Sequence, residues 1–239
     1  MIKMVGLARP LKIEWLNKTV DLVLDGKKPE AIKEELNTYL SFEIESPTSL
    51  RKTRESLMNI WAAQSDETVD ARAYALSLYA TLATDKLPLH WCMLLIKYPI
   101  FADICAFIGK ISTIEDSFTT AWLREKLYES WGERTTLNVP VKNILRTLVD
   151  FDALEKVKIG VYRTKRKPVK DSNIIRLIIM TLLALGKKAY YEVSELSRVP
   201  FYFPFEYDVT LEWLQNTPEI NIGNFGGKTV ITAKVNRVK

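Results

Sequence analysis

The segment from Leu87 to Ile108 is the most apolar region of the chain, and it has almost no polar side. A helix that is apolar around its whole circumference must be surrounded by other apolar surfaces. A membrane span is the alternative, but a spanning helix needs about 20 apolar residues. His90, Lys97, Pro99 and Asp103 interrupt this window. We therefore expect a buried central helix, kinked or broken at Pro99, and no membrane partner.

Other segments of residues 1–110 also space their apolar residues as helices do. Pro29 and the pair Ser46-Pro47 are typical helix starts, and Gly26 is a typical stop. We expect helices over 11–24, from 29, from 47, over 69–83 and over 87–108. The pattern predicts a mainly α fold whose first domain, residues 1–110, is a helical bundle.

Residues 111–172 have a different order of predicted elements. Ser112 to Asp116 resembles a capping box and predicts a helix that ends near Trp131-Gly132. A polar turn follows, and Pro140 opens a second helix with a complete core stripe. Val157 to Tyr162 alternates and predicts a strand, after which Arg163 to Pro168 forms a basic loop. This is the order of a winged helix-turn-helix, which we predict for residues 111–172.

The positive charge of the chain is concentrated in this middle region. Residues 134–190 hold 13 Lys and Arg against 4 Asp and Glu, whereas residues 1–133 hold 16 against 19. Between Lys156 and Lys170 there are seven basic residues and no acidic one. A block of one sign inside an otherwise acidic chain indicates a site for a polyanion, although charge runs are often simply solvated.

In a winged helix the second helix enters the major groove of DNA, and the loop after the strand lies along the phosphate backbone. This arrangement predicts that double-stranded DNA is bound through the second helix and the basic run. Tyr162 either stacks on a sugar or packs beneath the wing. The candidate DNA-binding residues are Lys142, Asn143, Arg146, Lys158, Arg163, Lys165, Arg166, Lys167 and Lys170.

Residues 173–239 are predicted to form a C-terminal helical segment with a β-hairpin. A helix over 174–185 is followed by a short helix near 191–197 and another over 207–214. Asn224-Phe225-Gly226-Gly227, between two β-branched runs, indicates a hairpin. Helix, helix, hairpin resembles a second winged module, without the basic loop. We interpret it as a structural or protein-contacting copy.

Enzymatic chemistry finds little support in the sequence. His90 is the only histidine and is flanked by apolar residues, so we expect a structural imidazole. Cys92 and Cys105 are expected to be buried free thiols, and with one histidine they form no recognisable zinc site. Met1 to Pro10 contains no long apolar run. We therefore expect a cytoplasmic protein with no catalytic residues, cofactor, metal or small-molecule substrate.

Several landmarks together resemble the BrxA family of bacterial BREX phage-defence systems. They are the Leu50–Trp61 helix with its arginines, Tyr98-Pro99-Ile100-Phe101 followed by Asp103, the Trp122–Trp131 stretch, and the helix that closes on Leu148-Val149-Asp150-Phe151. The resemblance runs from about Leu50 to Tyr162.

The resemblance implies an N-terminal bundle similar to the antitermination factor NusB, winged-helix character beyond it, and DNA binding without catalytic residues. It also implies that the other BREX proteins are partners. Two alternatives to DNA binding stay open. The first is a protein-interaction scaffold whose basic wing meets an acidic partner. The second is a NusB-like RNA-binding protein, although the sequence has no RNA-recognition signature with paired aromatics.

Overall fold

The chain is mainly helical, with small sheets of short strands. The computed structural model describes residues 6–63, 69–83 and 85–234. The α-helices are α1 (Ile13–Leu24), α2 (Pro29–Ser41), α3 (Pro47–Trp61), α4 (Val69–Thr81), α5 (Leu87–Lys97), α6 (Pro99–Ile111), α7 (Thr120–Trp131), α8 (Asn138–Asp150), α9 (Ser172–Ala184) and α10 (Leu211–Gln215). The strands are β1 (Phe118–Thr119), β2 (Leu154–Lys158), β3 (Val161–Thr164), β4 (Lys167–Pro168), β5 (Tyr191–Glu192), β6 (Phe205–Glu206), β7 (Ile220–Phe225) and β8 (Lys228–Ala233). Short 3₁₀ helices cover Thr135–Leu137, Val193–Arg198 and Pro200–Tyr202.

The N-terminal helices begin where the sequence predicts. Pro29 and Pro47 occupy the first turns of α2 and α3, where a missing N–H breaks no helical hydrogen bond. The Ser46 side chain accepts a hydrogen bond from the Ser49 N–H and caps α3. Helices α1, α2 and α3 pack against one another and bury their apolar stripes. The predicted helical bundle is confirmed at this level of description.

The apolar segment breaks at Pro99, as predicted. Helix α5 ends at Lys97, α6 begins at Pro99, and the two helices are bent by 117°. Nine consecutive residues of α5, from Leu87 to Leu95, are buried. No single helix in the described ranges is both long and apolar enough to cross a bilayer; α5 and α6 meet that measure only when they are taken together.

Helices α5 and α6 connect all parts of the molecule. Trp91 of α5 donates its indole N–H to the Phe201 carbonyl at 2.9 Å. Its ring makes edge-to-face contacts with the rings of Phe101, Phe203 and Phe205. Helix α6 packs against α7, α8 and the 3₁₀ helix Pro200–Tyr202. One continuous apolar core therefore joins the N-terminal helices to the middle and C-terminal regions.

The middle region folds into α7, α8 and a three-stranded antiparallel sheet of order β1-β3-β2. Three sequence expectations are wrong here. Arg163 to Pro168 is not a single loop, because Arg163 and Thr164 belong to β3, and Lys167 and Pro168 form β4. The predicted helix start at Ser112 lies in a turn, and α7 is instead capped by Thr119, whose hydroxyl accepts from the Trp122 N–H. The predicted single strand over 157–162 is the end of β2, a turn at Ile159-Gly160 and the start of β3. Gly160 has a φ of +73°, which permits this tight reversal.

The C-terminal region repeats this connectivity. Strand β5 follows α9, and the hairpin β7–β8 follows α10, in a sheet of order β5-β8-β7. The predicted hairpin is confirmed, with its turn at Gly226-Gly227. The helix expected near 191–197 is the 3₁₀ helix Val193–Arg198 after β5, and the helix expected over 207–214 is limited to α10.

Candidate nucleic-acid interface

Helix α8 presents a short cationic face to solvent. Its core stripe, from Val141 to Leu148, is buried, and this orientation leaves Lys142 and Arg146 exposed on the opposite side. Val139, one turn earlier on the same side, is 54% exposed. Neither cation forms an ion pair within 4.0 Å with a carboxylate of the described residues. Helix α8 therefore presents two exposed cations on the same side as an apolar side chain, with Arg146 one turn before Asp150.

The third candidate on this helix is held by another part of the chain. The Asn143 side-chain amide is half-buried and donates to the Leu7 carbonyl at 3.4 Å. One turn further along, the buried Thr147 hydroxyl accepts from the Leu11 N–H at 2.9 Å. The segment before α1 thus crosses one flank of α8. Asn143 contributes to that contact, whereas Lys142 and Arg146 stay on the open face.

The hairpin β2–β3 carries a second pair of available cations. Lys156 and Lys158 are exposed, and no carboxylate of residues 6–63, 69–83 or 85–234 pairs with either one. A β-bulge lies between them, which increases the local twist of the hairpin. Tyr162 is half-buried and stacks on Phe118 with ring centroids 5.9 Å apart, so it packs beneath the sheet.

The densest part of the basic run is already compensated by carboxylates. Lys165 is ion-paired with Asp152, and Lys167 pairs with the same carboxylate at 3.1 Å. Arg166 lies 3.8 Å from Glu206. Hydrogen bonds from Lys165 and Lys167 lower the pKa of Asp152, which therefore stays ionised at neutral pH. The positive potential of this stretch is lower than its sequence indicates.

The two remaining candidates, Arg163 and Lys170, differ in whether a carboxylate lies near them. Arg163 lies 3.7 Å from Glu155 across the hairpin. Lys170 follows β4 and is exposed, without an ion-pair partner among the described residues. Strand β4, which precedes Lys170, pairs with β6 rather than with the hairpin that carries Lys158. The nine predicted residues therefore do not form one uniform surface.

The structure adds features that the sequence analysis missed. The turn of the hairpin lies beside the N-terminus of α7, where the Thr120 N–H donates to the Gly160 carbonyl at 2.9 Å. Ile159, in that turn, is 91% exposed. The sequence signal for this turn is Ile159 followed directly by Gly160, whereas alternation alone predicts a strand through both residues.

The histidine and both cysteines are buried in the apolar core. The Trp61 indole N–H donates to His90 Nδ1 at 3.1 Å, so Nε2 carries the proton and donates to Asn17 Oδ1 at 2.9 Å. Burial lowers the pKa of His90 to about 3 and raises that of the Cys92 thiol to about 12. Both cysteines are free and buried, as expected. In the part of the chain that the structure describes, no three His, Cys, Asp or Glu side chains cluster as metal ligands do.

Helix α8 contributes two exposed cations and the hairpin contributes two more, and strand β2 of the hairpin packs against α8. Such a cationic surface can neutralise phosphates. We name it the α8–hairpin face and define it by Lys142, Arg146, Lys156 and Lys158. Comparisons of the chain with protein-family models, with curated proteins and with solved structures find no match.

Proposed function

We propose that this protein binds double-stranded DNA through the α8–hairpin face and performs no chemistry on it. The observation that carries the proposal is the connectivity α6–β1–α7–α8–β2–β3 with sheet order β1-β3-β2. A winged helix has the same connectivity. By that analogy α8 is the helix that enters the major groove with its N-terminal residues, and β2–β3 is the wing.

The distribution of charge supports the same surface. Lys142 lies in the N-terminal half of α8, which is the half that a recognition helix directs at base edges, and Arg146 follows one turn later on the same side. Lys156 and Lys158 extend the positive charge onto the hairpin. Phosphate contacts supply most of the non-specific affinity of such proteins, so binding is modestly sequence-selective and strongly salt-dependent.

The proposed biological role rests on the resemblance of residues 50–162 to the BrxA family. We propose that the chain is an accessory DNA-binding component of a BREX system, with the other BREX proteins as its partners. We assign the N-terminal helices a structural role, because they share one core with the helices that carry the α8–hairpin face.

The test is fluorescence anisotropy of the full chain with three labelled probes of equal length: duplex DNA, single-stranded DNA and RNA. We expect duplex DNA to bind most tightly at about 0.1 M salt. Equal affinity for all three probes would indicate a general polyanion surface and would contradict groove recognition. No binding to any of them would leave the scaffold hypothesis as the better account.

A second measurement tests the absence of chemistry. The purified chain, incubated with supercoiled plasmid and Mg²⁺ or Mn²⁺, is expected to leave the plasmid intact. Metal-dependent nicking that persists through repeated purification would contradict a purely binding role.

A further inference from the structure

Ile159 is the most exposed large hydrophobic residue of the described chain, at 91%. Val157, two residues before it, is 46% exposed. In sequence the two apolar residues alternate with Lys156 and Lys158, at the end of β2 and the start of the turn. The tip of the hairpin therefore combines an apolar projection with flanking positive charge.

The backbone holds this projection firmly in place. Val161, two residues after Ile159, pairs with Thr119 of β1, and the Gly160 carbonyl accepts from the Thr120 N–H. These contacts anchor the turn to the N-terminus of α7. Since the position of Ile159 is fixed by a sheet and a helix, its exposure is a property of the fold.

The surroundings of Ile159 favour a polyanion over an apolar protein surface. The nearest charged residues in sequence are Lys158 and Lys156, both exposed and without carboxylate partners among the described residues. A protein partner would have to remove these lysines from water or supply carboxylates for them. The phosphates on either side of a DNA groove provide the compensating charge directly.

We propose that Ile159 is a wedge that enters the minor groove beside the site occupied by α8 and partly unstacks one base step. Lys156 and Lys158 neutralise the phosphates that flank the step. Apolar side chains used in this way kink the duplex, and flexible pyrimidine–purine steps resist the kink least. The inference rests on the proposed DNA binding and adds to it a preference for deformable sequences.

The experiment uses the full chain and a duplex that contains 2-aminopurine next to a single TpA step. Anisotropy of an end label reports binding, and the fluorescence of 2-aminopurine reports unstacking in the same sample. We expect a several-fold rise in 2-aminopurine fluorescence at saturation. Ile159→Ala should abolish most of that rise. It should also remove the wild-type preference for the TpA duplex over an A-tract duplex, which we expect to be roughly tenfold in affinity, or about 1.4 kcal/mol.

Two variants control for other effects. Ile114 is 80% exposed and lies in the turn after α6, toward the end of β3 away from the hairpin tip, where Arg166 contacts the Ser112 carbonyl. Ile114→Ala should retain the full fluorescence rise. Lys158→Ala should weaken binding and lower its salt dependence, yet still give the rise once the duplex is saturated.

The outcomes separate the wedge from DNA binding itself. If wild-type protein binds the duplex without a fluorescence change, or if Ile159→Ala behaves as wild type, the wedge is wrong and DNA binding stands. If no anisotropy change occurs with any duplex, the proposed DNA binding is wrong, and the wedge that rests on it is wrong as well. If Ile159→Ala converts a dimer into a monomer in gel filtration, the tip contacts a second copy of the chain, and the wedge is overturned.

Discussion

The His90 imidazole lies at the centre of the N-terminal helices, with both ring nitrogens engaged and no solvent exposure. Trp61 needs Nδ1 as an acceptor, so protonation of the ring breaks that hydrogen bond and places a charge in an apolar core. The residue is structural, and it makes the stability of the fold sensitive to acid.

We predict that the free energy of unfolding falls as the pH drops below about 6.5. The pKa of His90 in the folded state is about 3, below its unfolded value, so the unfolded chain binds the extra proton in this window. The contribution of His90 to the free energy of unfolding is complete above pH 6.5 and is lost as the pH falls toward 3. Between these values the free energy of unfolding changes by up to about 1.4 kcal/mol per pH unit. Urea unfolding at pH 7, 6 and 5 measures it.

The matched variant is His90→Gln, which lacks the titrating ring. It is less stable than wild type at pH 7, but its unfolding free energy should change less between pH 7 and pH 5. Equal pH slopes for the two proteins would show that His90 does not titrate in this range.

Asn143 shows what a local pattern does not reveal. Helical spacing correctly predicts that Lys142 and Arg146 lie off the core stripe of α8, and both are exposed. The same spacing places Asn143 beside them. Its contact with Leu7 joins residues 136 positions apart in the chain, and no short-range pattern encodes such a contact.

At the scale of elements, the sequence predicts the helices and the C-terminal hairpin more reliably than the middle sheet. Proline, capping residues and a full stripe define α2, α3 and α8 locally. The turn between β2 and β3 depends instead on pairing with β1, forty residues earlier. Alternation alone therefore indicates a strand through Gly160, where the chain in fact reverses.

The ion pairs of the basic run also depend on contacts that the local sequence does not predict. Asp152, Glu155 and Glu206 lie outside the stretch from Lys156 to Lys170 but fold back onto it. Counting charge along the sequence gives the sign of the region correctly. Which cations remain available is decided by the tertiary structure.

The contact between α6 and the C-terminal region gives a prediction for Gly109. A Cβ at this position would lie 1.9 Å from the Pro200 carbonyl oxygen, and backbone cannot move aside easily. Gly109→Ala should therefore destabilise the protein by about 1–3 kcal/mol, although alanine is the better helix former by about 1 kcal/mol. Thermal unfolding measures the change.

Gly223→Ala is the control, because no atom lies within 4 Å of the Cβ that it would add. An unchanged or higher Tm for Gly109→Ala would show that α6 and Pro200 do not pack as closely as described.

At the scale of the whole molecule, the three predicted regions share one core. Helix α6 precedes the expected boundary at residue 111, yet it packs against α7, α8 and Pro200–Tyr202. We predict that a fragment of residues 111–239 does not fold on its own, because it lacks α5 and α6 and exposes the apolar surface that they cover. Circular dichroism and gel filtration of the fragment test this. A soluble monomer with a cooperative unfolding transition would contradict it.

The mainly helical fold could be predicted from composition and periodicity. The repeated order of helices and sheet strands in the middle and C-terminal regions could be predicted only in outline, because strand pairing is non-local. The two copies differ in charge, since residues 191–239 hold 5 basic against 6 acidic residues. For this reason the proposed DNA binding involves the first copy.

The most direct test of this assignment compares two sets of alanine substitutions by the salt dependence of duplex binding. The first set changes Lys142, Arg146, Lys156 and Lys158. The second changes Lys165, Arg166 and Lys167, whose charges are already paired with Asp152 and Glu206. A DNA phosphate that binds these cations must displace the carboxylates from their ion pairs. The displaced carboxylates then repel the nearby phosphate, and this repulsion offsets the free energy gained from the new contact.

Each lost phosphate contact lowers the slope of log K against log[salt] by about 0.9. The first set should therefore flatten the slope by roughly 3–4 units, and the second set by less than about 1 unit. Both proteins must retain the wild-type circular dichroism spectrum. A wild-type slope for the first set, or a larger loss for the second, would contradict the α8–hairpin face as the DNA-binding surface.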